Sequence, residues 1–278
     1  MIRPDTRYAK SAGGYVAYQV FGEGPRDILF VPSWATNVDA MWDEPSCALF
    51  HQRLARIGRV ICFDKRGTGV SDPVLLAKLP TLEQWMDDAL LVLEAAGSRQ
   101  TAIVGDTEGG LMAMLLAATF PDRVSALVLV NAFASWRRAP DYPIGMPEAT
   151  CEKLVSLYEQ HWGQDAAMLE MTAPSIGHDP RMREWFLRNQ RLAMPPGAAA
   201  QMYDLIVKLD VRSILPAISV PTCVLHRRDN RHYRLPFGQY LAEHISGAKL
   251  VELPGADCFP YHTLQSGAVL DEIQEFLT

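Results

Sequence analysis

Along the chain, apolar residues fall into runs of two kinds, short β-branched or aliphatic runs and longer runs with helical spacing. Residues 7–10 and 15–21 flank Gly13 and Gly14 and predict a hairpin, and the run 27–32 ends at Pro32, where a strand can leave its sheet. Strand-like runs at 59–63, 102–104 and 126–130 then alternate with helical periodicity at 82–96 and 111–119. That rhythm predicts an α/β fold with a mostly parallel central sheet flanked by helices. Between 135 and 219 the alternation stops. This stretch is rich in Pro, Met and Trp, has helical periodicity at 151–162, 181–192 and 199–209, and contains no convincing strand. It reads as a helical cap inserted into a core made of residues 1–134 and 220–278. The rhythm returns with strands at 222–226 and 249–253 and helices at 238–244 and 264–276. There are no internal repeats and no low-complexity segments.

Composition narrows the function classes. A chain of 278 residues, 49% hydrophobic and 21% charged, is long enough for one large core with a small insertion. A formal charge of -6 argues against nucleic acid as a partner, because phosphate binding needs clustered positive charge. The cysteines Cys47, Cys62, Cys151, Cys223 and Cys258 are odd in number and widely spaced, with no C-x-x-C pair. They suggest neither a disulfide framework nor a zinc site, no cofactor is implied, and a reducing cytoplasm fits best. The first ten residues lack the apolar stretch of a signal peptide, and the apolar runs 111–120 and 126–130 are too short to cross a bilayer.

The candidate chemistry centres on Gly105-Asp106-Thr107-Glu108-Gly109, where a strand passes directly into a helix. A sharp turn of the form G-x-nucleophile-x-G pushes one hydroxyl out over the C-terminal edge of a sheet. Glycines two positions to either side are needed because side chains there collide with the turn. The plainer alternative is a helix N-terminus capped by Thr107 or Asp106.

Other segments extend the pattern. Phe63-Asp64-Lys65-Arg66-Gly67-Thr68-Gly69-Val70-Ser71-Asp72-Pro73 is similar to a D-x-R-G-x-G-x-S loop, and Phe120-Pro121-Asp122-Arg123-Val124 to an F-P-x-R-V helix exit. Val220-Pro221-Thr222 and the segment Pro254-Gly255-Ala256-Asp257-Cys258-Phe259-Pro260 are similar to acid-bearing and histidine-bearing ends. On these motifs the chain resembles the α/β-hydrolase superfamily over nearly its whole length. More narrowly, residues 8–10, 17–22, 63–73 and 270–278 resemble the lipase/esterase-type module that precedes a class III adenylyl cyclase domain in some actinobacterial proteins. That resemblance implies a C-terminal adenylyl cyclase domain as a partner in a longer protein.

The superfamily resemblance implies a serine nucleophile, a late acid and a histidine, in that order. Thr107 stands at the nucleophile position, Cys258 at the histidine position, and the acid falls on Asp229 or Asn230. Thr107 keeps a hydroxyl but adds a methyl in sparsely allowed backbone space. A thiol with a reference pKa of about 8.5 is a poor substitute for an imidazole that relays a proton. His262 reads either as a stand-in base or as a surface or helix-start histidine, with His226 a second, weaker candidate for the base, and the resemblance places the N–H groups of Trp34 and Glu108 in the oxyanion hole. Asp64, Arg66 and Asp72 read as loop ties. Arg227, Arg228, Arg231 and Arg234 form a basic cluster, either an exposed loop or a face for an anion or partner domain. Trp42, Trp136, Trp162 and Trp185 belong to the core or line an apolar pocket. Two functions follow from these expectations. One is a weak carboxylic-ester hydrolase with a degenerate triad, acting on a small apolar ester or acyl ligand. The other is a catalytically inactive ligand-binding module that regulates an attached cyclase.

Overall fold

The aliphatic runs pair into one sheet because the central ones bury side chains on both faces and leave their backbone groups to neighbouring strands. The computed structural model describes residues 3–11, 13–261 and 266–278. Its strands are β1 (Arg7–Ser11), β2 (Gly14–Phe21), β3 (Asp27–Val31), β4 (Arg59–Phe63), β5 (Thr101–Asp106), β6 (Val124–Val130), β7 (Thr222–Arg227) and β8 (Lys249–Leu253). They lie in the order β1-β2-β4-β3-β5-β6-β7-β8. β1 and β2 pair antiparallel, as do β2 and β4, and every pair from β4 to β8 is parallel.

The α-helices among the described residues are α1 (Pro45–Leu54), α2 (Leu82–Ala95), α3 (Gly109–Thr119), α4 (Glu148–His161), α5 (Ala167–Thr172), α6 (Pro180–Ala193), α7 (Pro196–Val207), α8 (Leu235–His244) and α9 (Ser266–Leu277). Alternation along the strands sends Leu29, Val31, Ile103 and Leu129 into one core with α2, α3 and α8. Ile28, Phe30, Val104 and Val130 go into a second core with α1 and α9. None of the helices among the described residues is long and apolar enough to cross a membrane.

α1 is an element the periodicity passes over. The Glu44 carboxylate caps it, accepting from the backbone N–H of Ser46 at 2.6 Å and of Cys47 at 3.0 Å. Its inward stripe is Cys47, Phe50, His51 and Leu54, and the imidazole in that stripe breaks the hydropathy pattern. His51 is buried among Phe21, Phe30, Trp42 and Phe50, with Nδ1 2.7 Å from the Cys47 carbonyl. Burial pulls its pKa from 6.5 down to about 4. Because the folded value is the lower one, the unfolded chain takes up the proton first, and stability is lost as pH falls from 6.5 toward 4. Over that window the wild type should lose about 3 kcal/mol that His51→Phe retains. Urea midpoints at neutral and acid pH measure this, and an unchanged gap between the two proteins would refute it.

The loop after β4 is structural. Buried Asp64 accepts from Thr36 Oγ1 at 3.1 Å, Val38 N at 3.0 Å and Val70 N at 2.9 Å, while Arg66 Nε donates to Asp88 at 2.6 Å. Asp72 accepts from Tyr15 N at 2.9 Å, which ties the loop to β2.

Between β6 and β7 the chain runs through α4–α7, with α4 packed on α7. The segment after α5 is fastened to the loop after β8. Cys258 N donates to Thr172 O at 2.7 Å, and Ser175 Oγ donates to Asp257 at 2.6 Å.

Candidate active site

β5 is buried along its whole length and ends at the turn the glycine spacing predicts. Thr107 has φ 48°, its N–H donates to Val130 O at 2.9 Å, and its carbonyl accepts from Gly110 N at 3.1 Å. A Cβ on Gly105 would lie 2.8 Å from the Ala113 Cβ, and one on Gly109 would lie 2.3 Å from Val31 O. Neither Thr107 nor Asp106 caps α3: the residue directly before the helix is Glu108, which makes no side-chain cap bond, and Thr107 sits in left-handed rather than extended backbone. The Thr107 hydroxyl is buried and makes no hydrogen bond among the described residues.

The two carboxylates flanking Thr107 are also buried. Glu108, expected to contribute through its backbone, uses its side chain as well. It accepts from Ser33 Oγ at 2.8 Å and from the Tyr233 hydroxyl, joining the elbow to the loop after β3 and to the loop after β7. Asp106 lies beside the Tyr261 hydroxyl and the Ser33 amide, and burial, reinforced by the Glu108 charge, pushes its carboxyl well above the usual range. Lys65 supplies the local cation, donating to Pro32 O at 2.8 Å and Ser33 O at 3.0 Å. Burial pulls the ammonium down to about 8 against the opposing pull of Asp64, Glu108 and Asp106.

Of the two acid candidates, the structure brings Asn230 to Cys258. Asn230 Oδ1 accepts from His232 N and Tyr233 N, both at 2.9 Å, and lies 3.6 Å from Cys258 Sγ. Asp229 is exposed and accepts instead from Gly255 N at 3.2 Å. Cys258 is fully buried, and burial raises its thiol well above the usual value, so the sulfur is a neutral S–H. A neutral amide facing a neutral thiol cannot relay a proton as a carboxylate and imidazole do.

The histidines do not fill the gap. His226 Nε2 lies 2.8 Å from Tyr233 O and its ring packs against Gly238 of α8, so it is a core residue rather than a base. Burial lowers it to about 4. His262 lies outside the described residues. The basic cluster is likewise not one patch. Arg227 is buried and donates to Pro254 O at 2.7 Å, Arg228 pairs with Glu252 at 3.4 Å, and Arg234 bonds the Ile144 carbonyl while Arg231 is exposed.

Little open space remains beside the loop after β3. The Trp34 ring packs on Tyr158, Trp162 and Tyr203 at centroid distances of 5.3, 5.1 and 5.5 Å. The cavity between Ser33, Trp34, Tyr158, Trp162 and Tyr261 is about 50 Å³, room for a few waters. Of the four tryptophans singled out in the sequence, Trp162 lines this cavity; Trp136 is core, packed tilted against His232 and edge-on against Tyr233.

Three residues the motifs do not announce hold the site together: Ser33, Tyr233 and Asn131. Asn131 has φ 49°, its Nδ2 donates to Cys258 O at 2.5 Å, and its Oδ1 accepts from Arg227 N at 2.9 Å. The one signal available was an asparagine directly after an aliphatic strand, a residue that tolerates left-handed backbone.

The α/β hydrolase fold family model matches residues 28–256. A strigolactone esterase of Arabidopsis thaliana is 24% identical over 238 residues, covering 84% of this chain and 85% of that protein. 3-oxoadipate enol-lactonase 2 of Acinetobacter baylyi is 28% identical over 233 residues, 82% of this chain and 80% of that one. Among solved structures, an esterase from Exiguobacterium antarcticum superposes with a TM-score of 0.84 at 20% identity, covering 98% of this chain and 99% of that one. At that identity the likeness shows the fold alone.

Proposed function

The chain belongs to the α/β-hydrolase fold family, and from that premise we propose that it binds a small apolar ester or acyl compound without hydrolysing it at an enzyme's rate. The observation that carries this reading is the state of the three triad positions. The Thr107 hydroxyl is buried without a hydrogen-bond partner among the described residues, and Cys258 faces Asn230 as one neutral group against another. Nucleophilic attack by a hydroxyl needs a base within hydrogen-bond reach, and a hydroxyl without one is not activated. The resemblance of residues 8–10, 17–22, 63–73 and 270–278 to cyclase-linked modules supports a regulatory use, in which occupancy biases an attached adenylyl cyclase.

The second reading is a weak carboxylic-ester hydrolase, favoured by the intact elbow backbone at Thr107. In it Thr107 attacks, Trp34 and Glu108 N–H groups hold the oxyanion, and His262 or water is the base. Backbone donors survive side-chain change and sustain about 10³-fold catalysis over water in a comparable case.

Turnover of p-nitrophenyl esters by wild type, Thr107→Ala and His262→Ala separates the two. The expected result is a slow rate that neither substitution changes. A drop of about tenfold or more in Thr107→Ala would restore the esterase reading and sink this one.

A further inference from the structure

We infer that the ligand occupies a second cavity beneath α4 and α5, away from the small space beside Trp34, and that it is a neutral, largely apolar ester or lactone whose carbonyl oxygen accepts a hydrogen bond from His232. This rests on the binding reading above and adds a place and a chemistry to it.

The cavity is about 700 Å³, within the range of about 300–1,000 Å³ typical of small-molecule sites. Met146, Leu154, Met171 and Pro174 make its wall apolar, while the loop after β7 brings Arg231 and His232 to it. His232 is buried, its ring held by Trp136 at a centroid distance of 4.8 Å and Tyr233 at 4.6 Å, and its Nε2 has no hydrogen-bond partner among the described residues. A buried polar nitrogen left unpaired costs about 1–3 kcal/mol, which an acceptor placed by an occupant recovers in part. In this proposal the occupant draws that nitrogen, which is itself buried in the wall, into the cavity by turning the ring.

Charge selects a neutral occupant. Glu170 in the wall is already engaged by Arg183, and Asp229 and Arg231 offset one another, so the wall has no net charge to hold an anion. Burial keeps the imidazole uncharged, lowering it from 6.5 to about 4. The site is also mechanically joined to the altered triad. His232 N donates at 2.9 Å to the same Asn230 oxygen that faces Cys258, so an occupant that moves His232 moves that pair.

Calorimetric titration with methyl octanoate and with octanoate tests the assignment on wild type, His232→Phe and Met171→Trp. Wild type should bind the ester saturably and the carboxylate about tenfold more weakly or worse. His232→Phe keeps an aromatic ring against Trp136 and Tyr233 and removes the nitrogen, and should weaken ester binding about three- to tenfold. Met171→Trp, which fills the cavity from α5, should abolish it, with thermal unfolding confirming that each variant is folded. Equal affinity for the two probes, an ester affinity unchanged in both variants, or no saturable ester binding by wild type would overturn the proposal. The binding reading itself fails differently, through ester turnover that depends on Thr107.

Discussion

A variant carrying Thr107→Ser, Asn230→Asp and Cys258→His together is expected to hydrolyse p-nitrophenyl acetate at least about 10²-fold faster than the wild-type chain, because a positioned general base contributes about 10²–10⁴-fold. The backbone that would position the new groups is already pinned. The carbonyl of residue 258 is held by Asn131 Nδ2 and its N–H by Thr172 O, so a side chain there is aimed as Cys258 now is. Position 230 receives two backbone N–H groups from His232 and Tyr233, which would stabilise a carboxylate as they now stabilise the amide oxygen. The three changes should be strongly non-additive. Thr107→Ser alone removes a methyl but supplies no base, and Cys258→His without Asn230→Asp leaves the imidazole without a charged partner. An acetyl ester is the right choice because the space beside Trp34, about 50 Å³, admits only a small acyl group. kcat/KM for all combinations is the measurement, and a triple variant no faster than Thr107→Ser would mean that residue 258 does not face the elbow hydroxyl.

The difference between what was legible in the sequence and what was not follows the range of the interactions. The elbow could be read because its constraint is local: Gly105 and Gly109 are needed within two residues of Thr107, and the structure shows what each would strike. The loop at 63–73 was legible from its own glycine and charge spacing, but the partners of its Asp64 were only partly so: Val70 lies in the same segment, while Thr36 and Val38 come from 28 and 26 residues away. The acid could not be chosen from the sequence, because Asp229 and Asn230 are adjacent and only the direction of the chain leaving β7 decides which one turns inward. The side-chain bonds of Glu108 were not legible because its partners, Ser33 and Tyr233, come from loops 75 and 125 residues away along the chain. The arginines looked like one cluster because spacing in a loop says nothing about orientation. In space, Arg227 points into the core while Arg228 and Arg231 point to solvent.

The largest stability effect should come from Gly109→Ala. A methyl there would lie 2.3 Å from Val31 O, 2.5 Å from Pro32 O and 3.0 Å from Val31 C, so every contact is with backbone and no side chain can swing aside. Nor can those carbonyls retreat cheaply. Val31 ends β3, which is paired on both sides by β4 and β5, and the Pro32 carbonyl is fixed by Lys65 Nζ at 2.8 Å. The alternative is for α3 to lift from the sheet, and α3 is buried on nearly all sides, with Leu111, Met112, Ala113 and Met114 among its enclosed residues. Overpacking against mobile side chains costs about 1–3 kcal/mol. Against fixed backbone the loss should reach about 4 kcal/mol or more, a large part of the roughly 5–15 kcal/mol that holds a domain folded. Gly97→Ala is the matched control. It has φ +70° and nothing within 4 Å of the added methyl, so it should cost only the backbone penalty of about 1–2 kcal/mol. Urea unfolding of both variants gives the comparison. If Gly109→Ala proves no worse than Gly97→Ala, the turn at Thr107 does not press on the loop after β3, and the confinement that keeps the Thr107 hydroxyl from solvent must have another source.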